Sequence, residues 1–184
     1  MSLSVNNSSQ TRVLKVTFWQ MCLGLGIIFF DQLSKAVTFY FLPVIHSQAY
    51  IYPYGGVGIF KNFLGIEFSL NHMTNFGAAW GAFGDYQLAL LVFRIVLIAF
   101  LIVYLVRFNK EKSWQIPLVL VISGAIGNVI DYFIYGHVID MFHFIFWGLD
   151  YPVFNLADAA ISIGIGWLFL MSFFKKAPEK NDLS

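Results

Sequence analysis

Residues 116–133 read IPLVLVISGAIGNVIDYF, an apolar run with one asparagine and one aspartate near its far end. A helix that crosses a bilayer needs about 20 mostly apolar residues, and this stretch fits. Asp131 is its informative exception. An ionisable group inside a spanning segment is costly and persists mainly where it lines a functional cavity.

Working outward, residues 13–38, 88–108 and 153–174 qualify as spans by the same measure. The chain has 184 residues, 59% of them hydrophobic and only 11% charged, with a mean hydropathy of +0.72. Soluble domains carry about 25% charged residues, so the expectation is an all-α integral membrane protein with four transmembrane helices, forming a single membrane-embedded domain over residues 1–184. A net charge of +1, with no basic patch, excludes nucleic acid as a partner. The single cysteine, Cys22, excludes an internal disulfide framework and is read as a packing residue.

Orientation follows from Lys and Arg. Arg12 and Lys15 precede the first span, Arg107, Lys110 and Lys112 join the second to the third, and Lys175, Lys176 and Lys180 follow the fourth. Both termini, residues 1–12 and 175–184, should therefore be cytoplasmic. The long connections, about residues 36–87 and 134–152, should face outward. The first span lacks a small-residue cleavage site and its apolar run is too long for a signal peptide, so it is read as retained. The first outer connection holds Tyr50, Tyr52, Tyr54, Phe60 and Phe63 among glycines and Pro53, and residues 66–70 alternate as a strand does. A small outer β-rich segment between helices one and two fits this pattern; an ordinary aromatic belt is the alternative. Trp80 and residues 50–56 are candidates for a cover over the site.

Depth brings the carboxylates together. Counted from the basic clusters, Asp31, Asp131 and Asp158 lie roughly 24, 28 and 26 Å along their helices at about 1.5 Å per residue. Three helices thus present an aspartate near one level, at the outer edge of the hydrocarbon. Asn128 and Asp131 are three apart, as are Asn155 and Asp158, so each pair shares a helix face. Gly124, Ala125 and Gly127, and likewise Gly164 and Gly166, offer faces that let a neighbouring helix approach. Asp140 stands in an apolar I-D-M-F setting that could dip it back to the membrane surface. Two aspartates that meet in a cavity are the apparatus of an aspartic protease.

With these residues in view, the chain resembles the lipoprotein signal peptidases (signal peptidase II) over nearly its whole length. Residues 31–35, DQLSK, resemble the family's D-Q-x-[ST]-K box. Residues 75–81, NFGAAWG, resemble N-x-G-A-A-[FW]-G. Residues 124–131, GAIGNVID, resemble G-A-x-G-N-x-x-D. Residues 138–141, VIDM, resemble V-V-D-F, and residues 154–158, FNLAD, resemble F-N-x-A-D. The resemblance implies an aspartic endopeptidase of the bacterial inner membrane, active near the periplasmic face, that removes signal peptides from diacylglyceryl-modified prolipoproteins. It implies Asp140 and Asp158 as the catalytic pair, supported by Asp31, Lys35, Asn75, Gly77, Asn128, Asp131 and Asn155. It also implies no metal or cofactor, contact with membrane lipids, and inhibition by the cyclic peptide globomycin.

Two departures stand out: Tyr132 where the family usually has Arg after the third-box aspartate, and Met141 in the fourth box. Arg94, roughly 20 Å up the second span from Arg107, is a candidate to reach outward and supply the guanidinium that Tyr132 lacks; an Arg that merely snorkels to the interface is the alternative. Competing readings are a metal hydrolase built on His137, Asp140 and His143 at i, i+3, i+6, and a small transporter or ion-conducting protein using the intramembrane carboxylates. A presenilin-type protease would want a G-x-G-D motif, which is absent. His46 and His72 are read as surface or interface groups.

Overall fold

The computed structural model describes residues 15–44, 56–76 and 86–174. Four long helices dominate: α1 (Phe18–Phe41), α2 (Gln87–Val103, extended by a π turn at Tyr104–Phe108), α3 (Gln115–Tyr135) and α4 (Leu156–Phe174). Each is long and apolar enough to cross a membrane. The sequence start points move inward at both ends. α1 begins at Phe18, where the Thr17 backbone N–H donates to Gln20 Oε1 at 2.8 Å. α4 begins only at Leu156, after Asn155. α3 runs further than expected, to Tyr135, and stops at Gly136, whose left-handed φ of 77° suits a residue without Cβ.

α3 is the central helix. Half of its apolar window is buried by protein, against 22% for α1 and 17% each for α2 and α4. Small residues make this possible. A Cβ on Gly124 would lie 2.4 Å from the Ala157 carbonyl oxygen, and one on Gly164 would lie 2.7 Å from the Pro117 carbonyl oxygen. Gly166, expected to act like Gly164, has no neighbour within 4 Å of such a Cβ; it sits on an exposed face. Leu118, Val119, Ile122, Ile98 and Leu105 form the buried cluster between α3 and α2. Outside these contacts the helices leave Phe29, Val96, Phe100 and Phe169 largely exposed, an apolar perimeter that suits lipid and would not suit water.

The end of the bundle where α1 and α3 finish and α2 and α4 start carries an antiparallel sheet, ordered β1 (Val57–Phe63), β2 (Ile66–Asn75), β3 (Val138–Phe146), β4 (Leu149–Asp150). The expected β segment between the first two helices thus supplies only half of the sheet. The other half is residues 138–150, a stretch whose apolar sequence carries no clear strand signature. β2 and β3 pair from Ile66↔Phe146 to Asn75↔Val138, with a register shift between Leu70 and Met73. Past that shift Met73 pairs with Asp140, so the irregularity sets the aim of the strand segment that carries Asp140. The hairpin tips interlock: the Trp147 N–H donates to the Gly65 carbonyl at 2.8 Å, and a Cβ on Gly65 would meet the Trp147 ring at 2.5 Å.

Candidate active site

Asp140 and Asp158 reach one cavity from different elements, β3 and the first turn of α4. The cavity holds about 380 Å³ and is also lined by Asn75, Asn128, Arg94 and Tyr151. Three asparagines tie the two carboxylates together. Asn75 Nδ2 donates to Asp140 Oδ2 at 3.1 Å, Asn155 Nδ2 to Asp140 Oδ1 at 2.7 Å, and Asn128 Nδ2 to Asp158 Oδ1 at 2.8 Å. Asn155 Nδ2 also approaches Asn128 Oδ1 at 3.2 Å, which closes the chain of amides between the acids.

The start of α4 fixes Asp158. Asn155 Oδ1 accepts the Asp158 backbone N–H at 2.8 Å, and Asp158 Oδ2 accepts the Asn155 N–H at 3.4 Å. This reciprocal cap satisfies two donors that a helix N-terminus leaves open. One residue therefore caps the helix with its amide oxygen and holds Asp140 with its amide nitrogen. Asp140 itself is 4% exposed. Burial first, then the neighbouring Asp158 charge, pushes its carboxyl up to about 7, while the Asn75 and Asn155 hydrogen bonds pull the other way.

Behind this pair lies a second acidic cluster, fully sealed. Lys35 Nζ sits 2.7 Å from Asp31 Oδ2 and 2.6 Å from Asp131 Oδ2, with all three side chains 0% exposed. Gln32 Nε2 donates to Asp131 Oδ1 at 2.7 Å, and the Ala157 N–H donates to Asp31 Oδ1 at 2.8 Å. Gly127 leaves room for Asp31; a Cβ there would stand 2.6 Å from Asp31 Oδ2. The clusters share one residue: Asn128 accepts from Lys35 Nζ at 3.0 Å while donating to Asp158.

Several sequence expectations change here. The cation at Asp131 is Lys35, so the charge left open by Tyr132 is met from α1; Arg94 lies instead on the cavity wall. Asn128 serves Asp158 on the facing helix and not Asp131 on its own, because helix spacing fixes which residues share a face but packing chooses their partners. Asp131 takes its amide donor from Gln32, which the sequence reading passed over although it follows Asp31 in the first box. His137, Asp140 and His143 do not form one ligand face. Residues 138–146 are a strand, where i and i+3 point to opposite sides, and His143 turns to Asp150 at 2.6 Å. His72 is buried, 1% exposed, and its Nδ1–H donates to the Leu42 carbonyl at 2.9 Å. Gly77, Trp80, His46 and residues 50–55 lie outside the described residues.

Comparison with known proteins gives a consistent picture. Residues 23–174 match the family described as signal peptidase (SPase) II. A lipoprotein signal peptidase of Chlamydia trachomatis serovar D is 35% identical over 137 residues, 73% of this chain and 78% of that protein. One from Clostridium acetobutylicum is 37% identical over 128 residues, 68% of this chain and 79% of that protein. Two solved bacterial membrane enzymes have the same fold. One has a TM-score of 0.75 at 20% identity, covering 92% of this chain and 96% of its own. The other has a TM-score of 0.70 at 21% identity, covering 90% and 99%.

Proposed function

The chain belongs to the signal peptidase II family, and from that premise we propose that Asp140 and Asp158 are its catalytic pair. It is a multi-pass bacterial membrane enzyme, an aspartic peptidase that cleaves signal peptides from prolipoproteins. The observation that carries the residue assignment is the shared cavity, entered by one carboxylate from β3 and one from α4.

Two carboxylates in one low-dielectric cavity cannot both ionise easily, so the pair holds a single proton between them. Asp158 has the better claim to the negative charge. Each acid accepts two hydrogen bonds, but only Asp158 sits in the first turn of a helix, where the dipole favours an anion. In this reading Asp158 takes a proton from water while the water oxygen bonds to the scissile carbonyl carbon. Asp140 gives its proton to the carbonyl oxygen. The resulting gem-diol collapses as the C–N bond breaks; Asp158 passes its proton to the leaving nitrogen and Asp140 recovers one from the diol. Asn75, Asn128 and Asn155 hold both acids in place. The Asp31–Lys35–Asp131 cluster supports Asn128 and the start of α4 from behind.

The end bearing the sheet and the cavity faces the periplasm in this reading. Lys15, Arg107, Lys110 and Lys112 all fall at the opposite end, which the positive-inside rule assigns to the cytoplasm together with both termini. The substrates are diacylglyceryl-modified precursors, and globomycin is the expected inhibitor. The test is cleavage by the purified protein of a diacylglycerylated prolipoprotein beside its unlipidated precursor, with and without globomycin. Cleavage confined to the lipidated form and blocked by globomycin supports the reading; equal cleavage of both forms overturns the substrate assignment.

A further inference from the structure

We infer that Arg94 recognises the ester carbonyls of the substrate's diacylglyceryl group, making it a specificity-determining residue of the cavity; this deepens the function proposed above and rests on it. The cavity does not end at the aspartates. Its lining also includes Ile161, Ser162 and Ile163 of α4 and Arg94 of α2. Both helices start at the sheet end. Arg94 is seven residues after Gln87 and Asp158 two after Leu156, so Arg94 lies roughly 7 Å deeper than Asp158 at about 1.5 Å per residue. Ser162 is one helical turn below Asp158 and comes to nearly the same level.

α2 is otherwise an apolar helix, QLALLVFRIVLIAFLIV, with Arg94 its sole charge. An ionisable side chain that reaches a cavity from a spanning helix marks a functional site. The chemistry of the substrate brings carbonyl oxygens, which a guanidinium can bind, to this place. The modified cysteine follows the scissile bond, its thioether carries a glycerol, and two ester carbonyls hang a few bonds from the sulfur. With the scissile carbonyl between Asp140 and Asp158, the acyl chains must run down into lipid, and the ester carbonyls come to the intervening level. There the walls are branched aliphatic side chains, and the donors are the planar fork of Arg94 and the Ser162 hydroxyl. The fork suits two neighbouring carbonyl oxygens better than a point charge would.

The test compares the natural ester substrate with a dialkylglyceryl ether analogue, which keeps the chains and loses both carbonyls. Assays run in an ester-free detergent, so that no phospholipid carbonyl competes. Wild-type protein should favour the ester by about tenfold or more in kcat/KM, the scale of a hydrogen bond to a charged group. Arg94→Leu should lower kcat/KM on the ester about tenfold more than on the ether, by the same reasoning, and Arg94→Lys should fall between. The ratio is the readout, because a merely structural role would lower both substrates alike. Equal losses on ester and ether overturn the inference, as does a wild-type enzyme indifferent to the carbonyls. A folded wild-type protein that cleaves neither lipidated form overturns the proposed function and this inference with it; cleavage of both at one rate overturns the inference alone.

Discussion

The two acidic clusters at the head of the bundle are neighbours built on opposite rules. Asp31 and Asp131 are sealed at 0% exposure around a cation, Lys35, at ion-pair distance from both. Asp140 and Asp158 open on a cavity, and they accept hydrogen bonds from neutral donors: asparagine amides and one backbone N–H. A cation in contact ties a carboxylate into an ion pair and keeps it away from substrate, whereas neutral donors orient a carboxylate that still faces an open cavity. The difference fits the proposed division between acids that hold the fold and acids that act. Asn128, held by Lys35 on one side and holding Asp158 on the other, links the sealed cluster to the proposed catalytic pair.

The sharpest way to break this contrast is to neutralise the reactive pair. Asp140→Asn and Asp158→Asn should each lower kcat by about 10³-fold or more, the scale of losing a general acid or base that works with a partner, while the protein stays folded. Asp140→Asn should also stabilise it. The carboxyl moves from 3.8 up to about 7 on folding, so between those values the folded state binds more protons than the unfolded chain and stability falls as pH rises. Above about pH 7 that loss is complete, and the asparagine variant, which has no charge to bury, should melt at a higher temperature than wild type at pH 8. A lower melting temperature would contradict the burial argument.

Removing the cation tests the fixed cluster. Lys35→Met leaves two sealed carboxylates uncompensated, and breaking a buried pair costs about 3–5 kcal/mol. Poor yield and a broad size-exclusion profile are expected, with Asp131→Asn as a second change recovering part of the loss. Full stability of the Lys35→Met protein would mean that the ion pair does not hold this cluster and that the contrast with the proposed catalytic pair is false.

The smallest effect sharpens the other half. Cleavage should decline as pH rises through about 7, where Asp140 loses its proton. Asn75 donates to that carboxylate and favours its charged form. Asn75→Ala should therefore move the falling limb to higher pH, by less than about one unit, since a unit corresponds to 1.36 kcal/mol. A shift to lower pH would reverse the assigned role of Asn75.

Much of this was legible in the chain itself. Four apolar runs marked the helices, and residue counts from the basic clusters put Asp31, Asp131 and Asp158 near one level, where α1, α3 and α4 bring them together. What the chain hid were partners across elements. Spacing three apart set Asn128 beside Asp131, yet the close approach allowed by Gly124 turned Asn128 toward α4. The 138–146 strand reads as apolar because protein covers both of its faces along much of its length, so its alternation is masked; its pairing with β2 is a long-range event that no local pattern announces. Lys35 was visible only as a box residue, because nothing in the α1 sequence says that an aspartate from α3 will arrive on its far side.

That late arrival bears on how the protein enters the membrane. Asp31 and Lys35 are one helical turn apart on α1, so this helix, which leaves the ribosome before α3, brings its own counter-ion and can be inserted as a locally neutral unit. Asp131 has no such neighbour on α3; its cation and its amide donor both come from α1. Insertion of the third helix therefore depends on a predecessor waiting in the bilayer. A reporter fusion carrying α3 alone should insert less efficiently than one carrying α1 alone, and Asp131→Leu should remove that difference.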